Sequence, residues 1–159
     1  MEDSIRRLDR SNLDTLIEKS HLSPRKRSPT PLQSSEYTGP QCLINPMQPD
    51  SYVQPHRHSY EEIWMPIQGR FILGLFDENG NPIERVDLSK NHVLYFRVPG
   101  NVYHSVLSLE QDSVFFNITQ GPFDQKAAKD FAPWAPREAS NPLLIKDYLQ
   151  DLREKLFNI

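Results

Sequence analysis

His56 and His58 stand one residue apart in QPHRHSYEEIWMPIQG, residues 54–69, just ahead of two adjacent acids, Glu61 and Glu62. The chain has only five histidines, so this pairing concentrates a scarce donor. On a strand alternate side chains share a face, so both imidazoles point one way and Arg57 the other. Counting on in twos reaches Glu62, although a bulge at Ser59–Tyr60 would exchange it for Glu61. Two imidazoles and a carboxylate on one sheet face offer nitrogen and oxygen donors suited to one divalent transition metal. The pattern asks for a further ligand. His104, in VPGNVYHSV, is the candidate: Pro99 and Gly100 break the chain into a turn, and a strand begins at the histidine, where it can reach a neighbouring strand. The expected metal set is therefore His56, His58, Glu62 and His104. A lone histidine in a β protein is ordinarily a surface or hydrogen-bonded group, but burying three beside an acid without a cation leaves a costly unpaired set. Such donors accept iron, zinc, nickel or manganese alike. His21 and His92 lack comparable company, and His92 is expected to face solvent from a turn.

The elements that must position these groups change character along the chain. SNLDTLIEK, residues 11–19, predicts a short surface helix capped by Ser11, with Leu13, Leu16 and Ile17 on one stripe. SHLSPRKRSPTPLQSSEYTGPQ follows, and its prolines exclude a regular helix in favour of an extended arm. From Cys42 to Ile118 the runs CLI, EIWMPI, RFILGLF, HVLYFRV, HSVLSL and SVFFNI read as about six antiparallel strands. Asn79-Gly80 is the dipeptide that accepts positive φ at both positions of a tight hairpin. With no helix among them, these strands imply a barrel or sandwich that hides its edges. GPFDQKAAKDFAPWAPREASNP is irregular, with Phe131 and Trp134 expected to cover a barrel edge or a dimer contact, or else to form a lid. PLLIKDYLQDLREKLFNI predicts an amphipathic helix with Asn141 as cap, Pro142 at its first position, and Leu144, Tyr148, Leu152 and Leu156 on one face. The expected organisation is residues 1–40 as helix and arm, 41–120 as barrel, and 121–159 as an irregular segment and helix packed on the barrel within one domain.

At 159 residues the chain can bury a core of its own, and a net charge of −3 gives no nucleic-acid signature. One cysteine, Cys42, excludes an internal disulfide and fits a reducing compartment, with the residue itself expected to be small and buried. No apolar run is long enough to span a membrane and MEDSIRRLDR lacks a signal-peptide core, so a cytoplasmic protein with no membrane partner is expected. Around the metal, Trp64 and Val106 share the inward face and give a partly apolar pocket, Trp64 being foremost barrel filling. Phe71, Leu73 and Leu75 are expected in the core. Arg25 and Arg27 of SPRKR are read first as solvated charges, with anion binding at the barrel mouth as the sharper role. Arg57 is expected to pair on the outer face.

HRHSYEEIWMPIQG, through His56, His58, Glu62 and Gly69, resembles the first cupin motif, and PGNVYH, through Pro99 and His104, resembles the second. INPMQPDSYVQPHRH, FDENG, ERVDL and TQGPFDQKAAKDFAPWAPRE extend the similarity to the WbuC-type cupin-fold metalloproteins, over about residues 23 to 138. Asp50 and Val93 stand where the general motifs have glycine, Gly100 comes one place early with Asn101 in its slot, and Ser108 replaces a closing asparagine. Asparagine also tolerates left-handed backbone, so the turn can survive. The resemblance implies an all-β, cupin-type double-stranded β-helix, the jelly-roll barrel, with the four named residues on one divalent metal. It also implies an association with surface-polysaccharide gene sets, hence a sugar or nucleotide-sugar ligand. The function expected is a metal-binding cupin, a metalloenzyme acting on a small polar, anionic or sugar-like molecule. The alternatives are a non-catalytic binding or regulatory module, and an iron-dependent oxygenase, against which a fourth protein ligand counts. A homodimer is expected from the apolar stripe of the tail helix and from barrel edges.

Overall fold

A computed structural model of the chain describes residues 7–34, 38–122 and 129–159. Parts of the N-terminal segment, the polar arm and the irregular segment discussed above lie outside the described residues. The first element is α1 (Arg10–Leu22), three residues longer at its C-terminal end than the stripe suggests. Its cap is Asp9, not Ser11: the Asp9 carboxylate accepts from the Asn12 N–H at 3.0 Å, and the Asn12 side chain accepts from the Asp9 N–H. An acid one turn ahead satisfies the orphan donors better than a serine already inside the helix.

Two five-stranded antiparallel sheets follow. The first is ordered β1 (Thr30–Pro31), β2 (Gln41–Met47), β9 (Ser113–Thr119), β4 (Glu62–Gln68), β7 (Phe96–Val98). The second is ordered β10 (Asp130–Phe131), β3 (His56–Arg57), β8 (Tyr103–Ser108), β5 (Arg70–Phe76), β6 (Pro82–Ser89). Met47, Trp64, Val98 and Phe115 from the first sheet pack on Phe71, Leu73, Leu75, Val86, Leu88 and Val106 from the second, so the main core lies between them. This is the jelly-roll arrangement the strand pattern implies.

Each outer face carries a helix. Leu13, Leu16 and Ile17 of α1 cover Ile44 and Val114 of the first sheet. The C-terminal helix α2 (Pro142–Phe157), capped by the Asn141 side chain, lays Leu149, Leu152 and Leu156 on Ile72, Phe76 and Leu107 of the second. β5 is therefore buried on both faces, which is why RFILGLF reads as a continuous apolar run rather than an alternation. Gly74 permits the approach, since a Cβ there would lie 2.6 Å from Leu156 Cδ2. Leu144, expected on the packed face, is exposed; Ile145 and Leu149 occupy the stripe instead.

Three further expectations change. The polar arm is pinned by the β1–β2 ladder and an Arg27–Met47 bridge. Only Gly80 of the Asn79-Gly80 pair has positive φ, +82°; Asp77 Oδ1 accepts from both the Asn79 and Asn81 N–H groups, making a wider Asx-type loop. In HVLYFRV only Phe96–Val98 pairs as strand, and Leu94 and Tyr95 are exposed. β10 caps the open edge of β3, while Trp134 packs on Phe76 and Tyr103, so this segment serves as an edge cover. No helix among the described residues is long and apolar enough to cross a membrane.

Candidate metal centre

His56 begins β3 and faces the interior, and Arg57 beside it faces out, where it pairs with Glu78 at 2.6 Å and Asp130 at 2.7 Å over the Tyr103 ring. Here the strand ends. The chain leaves the second sheet through residues 58–61 and enters the first at Glu62, so the two histidines and the acid do not share one strand. They meet because the corner delivers them inward from two sheets. Glu62 is buried, whereas Glu61 is exposed and pairs with Arg97 at 3.3 Å. The turn before β8 buttresses the same corner: Asn101, at φ +62°, donates its N–H to the His58 carbonyl at 2.6 Å. Gly100 packs so closely that a Cβ would lie 2.9 Å from the Ser59 carbonyl oxygen.

His104 lies directly opposite His56 on the β3–β8 ladder, with ring centroids 4.6 Å apart. His56, His58 and His104 are each at most 6% exposed, and one ligand atom from each lies within 4.8 Å of the others. Three imidazoles so placed could hold a metal ion. The outer contacts set their tautomers. His56 Nδ1 lies 2.8 Å from the Gln54 carbonyl and His104 Nδ1 lies 3.0 Å from the Val102 carbonyl. A carbonyl only accepts, so each Nδ1 carries a proton and each ring turns its Nε2 toward the centre. Burial, with the nearby Lys129 charge, holds His56 well below the ordinary histidine value, in its deprotonated form.

Glu62 closes the group, with Oε1 3.2 Å from His58 Nε2 and Oε2 3.3 Å from His104 Nε2. Burial pushes its carboxyl up, but His104, His58 and the Trp64 indole outweigh that and hold it down at about 2. The buried Nε2 of His104 makes no hydrogen bond. An imidazole nitrogen and a carboxylate oxygen facing each other at that distance need a cation between them, a proton or a metal. The donor set thus fits a divalent ion. Trp64 donates its indole N–H to Glu62 Oε2 at 3.1 Å and stacks on Phe115 at 4.4 Å, which joins core filling to support of the carboxylate.

The group opens on a cavity of about 810 Å³ between the sheets. Val106 and Trp64 line it, as do Arg25 and Arg27. Arg27 is not a solvated charge: it is buried, donates to the Tyr52 carbonyl at 2.6 Å and Ser51 Oγ at 3.2 Å, and pairs with Glu138. Arg25 is exposed and reaches the other Glu138 oxygen at 2.9 Å. His21 is exposed and pairs with Asp112 at 2.6 Å, and His92 is exposed. Cys42 is half-buried rather than enclosed, and burial raises its thiol. Asn45, Asn117 and Lys129 also line the cavity and are absent from the set expected from the sequence. The signal was available for two of them: strand parity turns Asn45 inward with Leu43 and Met47, and Asn117 inward with Phe115, at positions where a barrel normally carries apolar groups.

Solved structures share this architecture. KdgF from Halomonas sp. matches with a TM-score of 0.53 at 19% identity, over 66% of this chain and 88% of that one. The capsular polysaccharide assembling protein CapF from Staphylococcus aureus matches with a TM-score of 0.56 at 19% identity, over 65% of this chain and 29% of that one. Oxalate decarboxylase from Bacillus subtilis matches with a TM-score of 0.50 at 19% identity, over 59% of this chain and 24% of that one. The chain thus spans about a quarter of the decarboxylase. At these identities the likeness is one of fold, and the fold is that of the cupins. No curated protein matches the chain. The family model described as "Domain of unknown function (DUF6016)" matches residues 8–88, just over half of the sequence, and the chain therefore belongs to that family.

Proposed function

We propose that the protein is a metal-dependent cupin of the WbuC type whose single divalent transition ion is held by His56, His58, Glu62 and His104, and which takes a small polar or anionic molecule into the adjoining cavity. The observation that carries this reading is the pair of carbonyl-anchored imidazoles, His56 and His104, that turn Nε2 inward beside a buried Glu62 carboxylate. A divalent ion there would polarise an oxygen of the bound molecule. The chain's own share is to fix the tautomers, exclude bulk water and orient the acid through Trp64. The names of the fold relatives, an oxalate decarboxylase and a capsular polysaccharide assembling protein, are compatible with an acid or a sugar as ligand. The proposal keeps the cytoplasm as location and a homodimer as assembly. With the stripe of α2 already used inside the chain, the exposed Leu143, Leu144 and Phe157 are apolar groups left for a partner copy.

The test is elemental analysis of protein purified without a metal-affinity column. About one transition ion per chain is expected, lost in Glu62→Gln and His56→Ala while circular dichroism shows the fold retained. A metal-free wild type after metal-supplemented growth would refute it. Oxygen uptake by the iron-loaded form separates an oxygenase from the other readings, and turnover of the bound molecule separates an enzyme from a binding module.

A further inference from the structure

We infer that the cavity is a site for a hydroxylated oxyanion, a sugar acid or sugar phosphate, whose hydroxyls are held by the Asn45 and Asn117 amides and whose charge is met by Lys129. This deepens the metal-centre reading, because that centre forms one wall of the same cavity.

Asn45 and Asn117 are 8% and 6% exposed, yet among the described residues neither side chain makes a hydrogen bond. Both amides line the cavity rather than the packed core, so the polar group of each is directed at its contents. Neither amide is sealed from the cavity, so each is completed by what fills it, water or a ligand hydroxyl. Their register gives a spacing. Asn45 pairs with Phe115 and Asn117 with Leu43, which puts the asparagines on a ladder diagonal, about 7–8 Å apart. One six-carbon molecule spans that distance. Each amide offers both a donor and an acceptor, which matches hydroxyl groups better than it matches a bare ion. Trp64, the neighbour of Asn117 on β4, adds an aromatic surface for the carbon skeleton.

The charge follows from counting what is engaged. Among the described residues lining the cavity Glu62 is the one carboxylate; it contacts two histidines and an indole, and its charge also acts on Lys129 without a direct ion pair. Arg27 is committed to Glu138 and the Tyr52 carbonyl. Lys129 lines the same cavity and has no ion pair or hydrogen bond among the described residues. An ammonium so placed favours an anionic ligand.

Calorimetric titration of the zinc-loaded and metal-stripped full chain with D-glucuronate, glucose 6-phosphate, glucose and inorganic phosphate tests this. At least one of the two hydroxylated anions is expected to bind about tenfold or more tightly than glucose, since a charged contact is added. Asn45→Ala and Asn117→Ala should each weaken it about fivefold with metal content unchanged. Lys129→Gln, at an exposed position that does not threaten folding, should weaken the anions about tenfold and leave glucose alone. Glucuronate binding above the phosphate ester assigns a carboxylate ligand, and the reverse order assigns a phosphate. The inference is overturned if glucose binds as well as the acids, if inorganic phosphate binds as well as the sugar phosphate, if nothing binds at millimolar concentration, or if all three variants match wild type. Asparagine-dependent binding by a chain that never holds metal would refute the metal reading and leave this one standing; a metal-loaded chain that ignores the acids does the opposite.

Discussion

His56 and His104, 48 positions apart in the sequence, are direct cross-strand partners, with ring centroids at 4.6 Å and each Nδ1 anchored on a backbone carbonyl two residues earlier in its own chain segment. The repeated carbonyl contact does the orienting: one fixed hydrogen bond per ring decides which nitrogen faces the centre. Glu62 has no such backbone anchor, and its orientation rests on side chains.

Trp64→Phe tests that dependence. Phenylalanine keeps a ring on Phe115 but removes the N–H that meets Glu62 Oε2 at 3.1 Å. Metal affinity, measured by competition with a chromogenic chelator, should fall about tenfold, the usual cost of losing an outer hydrogen bond to a ligand. Unchanged affinity would mean Glu62 is held by its other contacts alone.

Gly100→Ala should damage the corner rather than the barrel. The added methyl meets the Ser59 carbonyl at 2.9 Å, next to His58, at an expected cost of about 1–3 kcal/mol in urea unfolding with reduced metal retention. Asn101→Gly is the control: its backbone is already left-handed, φ +62°, so glycine is tolerated. Equal stability of Gly100→Ala and wild type would contradict the packing.

Arg27→Met should cost about 1–3 kcal/mol of stability by urea unfolding, because it leaves Glu138 with Arg25 as its remaining ion-pair partner and vacates contacts to Ser51 and the Tyr52 carbonyl. A variant as stable as wild type that loses only ligand affinity would return Arg27 to a binding role.

Asp87→Asn should show its effect through pH. Hydrogen bonds from Arg70, with Nε at 3.0 Å and 3.1 Å from the two oxygens, hold the Asp87 carboxyl below the ordinary carboxylate range. A carboxyl lowered on folding stabilises the protein above the unfolded value of about 3.9, and that stability is lost as pH falls through the folded value. The melting-temperature gap between wild type and Asp87→Asn should therefore be full at neutral pH and close below about pH 4. A gap that widens in acid would reverse the sign.

What the sequence disclosed followed from periodicity and spacing. Pro142 behind Asn141 marked the start of α2, and β5 announced itself by six successive apolar or glycine residues after Arg70. The parity argument reached Glu62, yet the physical route differs, because the strand it assumed is broken at the corner between sheets. Two-residue strands such as β3 and β10 have no periodicity to detect; their pairing comes from the long-range ladder. The Asx loop at Asp77 and the cap at Asp9 turned on single side-chain acceptors, which compete with the commoner patterns that Asn79-Gly80 and Ser11 suggest. Asn45 and Asn117 sat in plain view on inward positions, but a polar residue in an alternating run is easily passed over as tolerated variation.

Diffraction data collected at the absorption edge of whichever metal elemental analysis finds put the metal centre to its sharpest trial. A single anomalous peak within about 2.0–2.2 Å of the inward nitrogens of residues 56, 58 and 104 and of a Glu62 oxygen is the expected result. Metal-replete crystals in which those side chains surround no anomalous density, with the ion bound elsewhere, would contradict it.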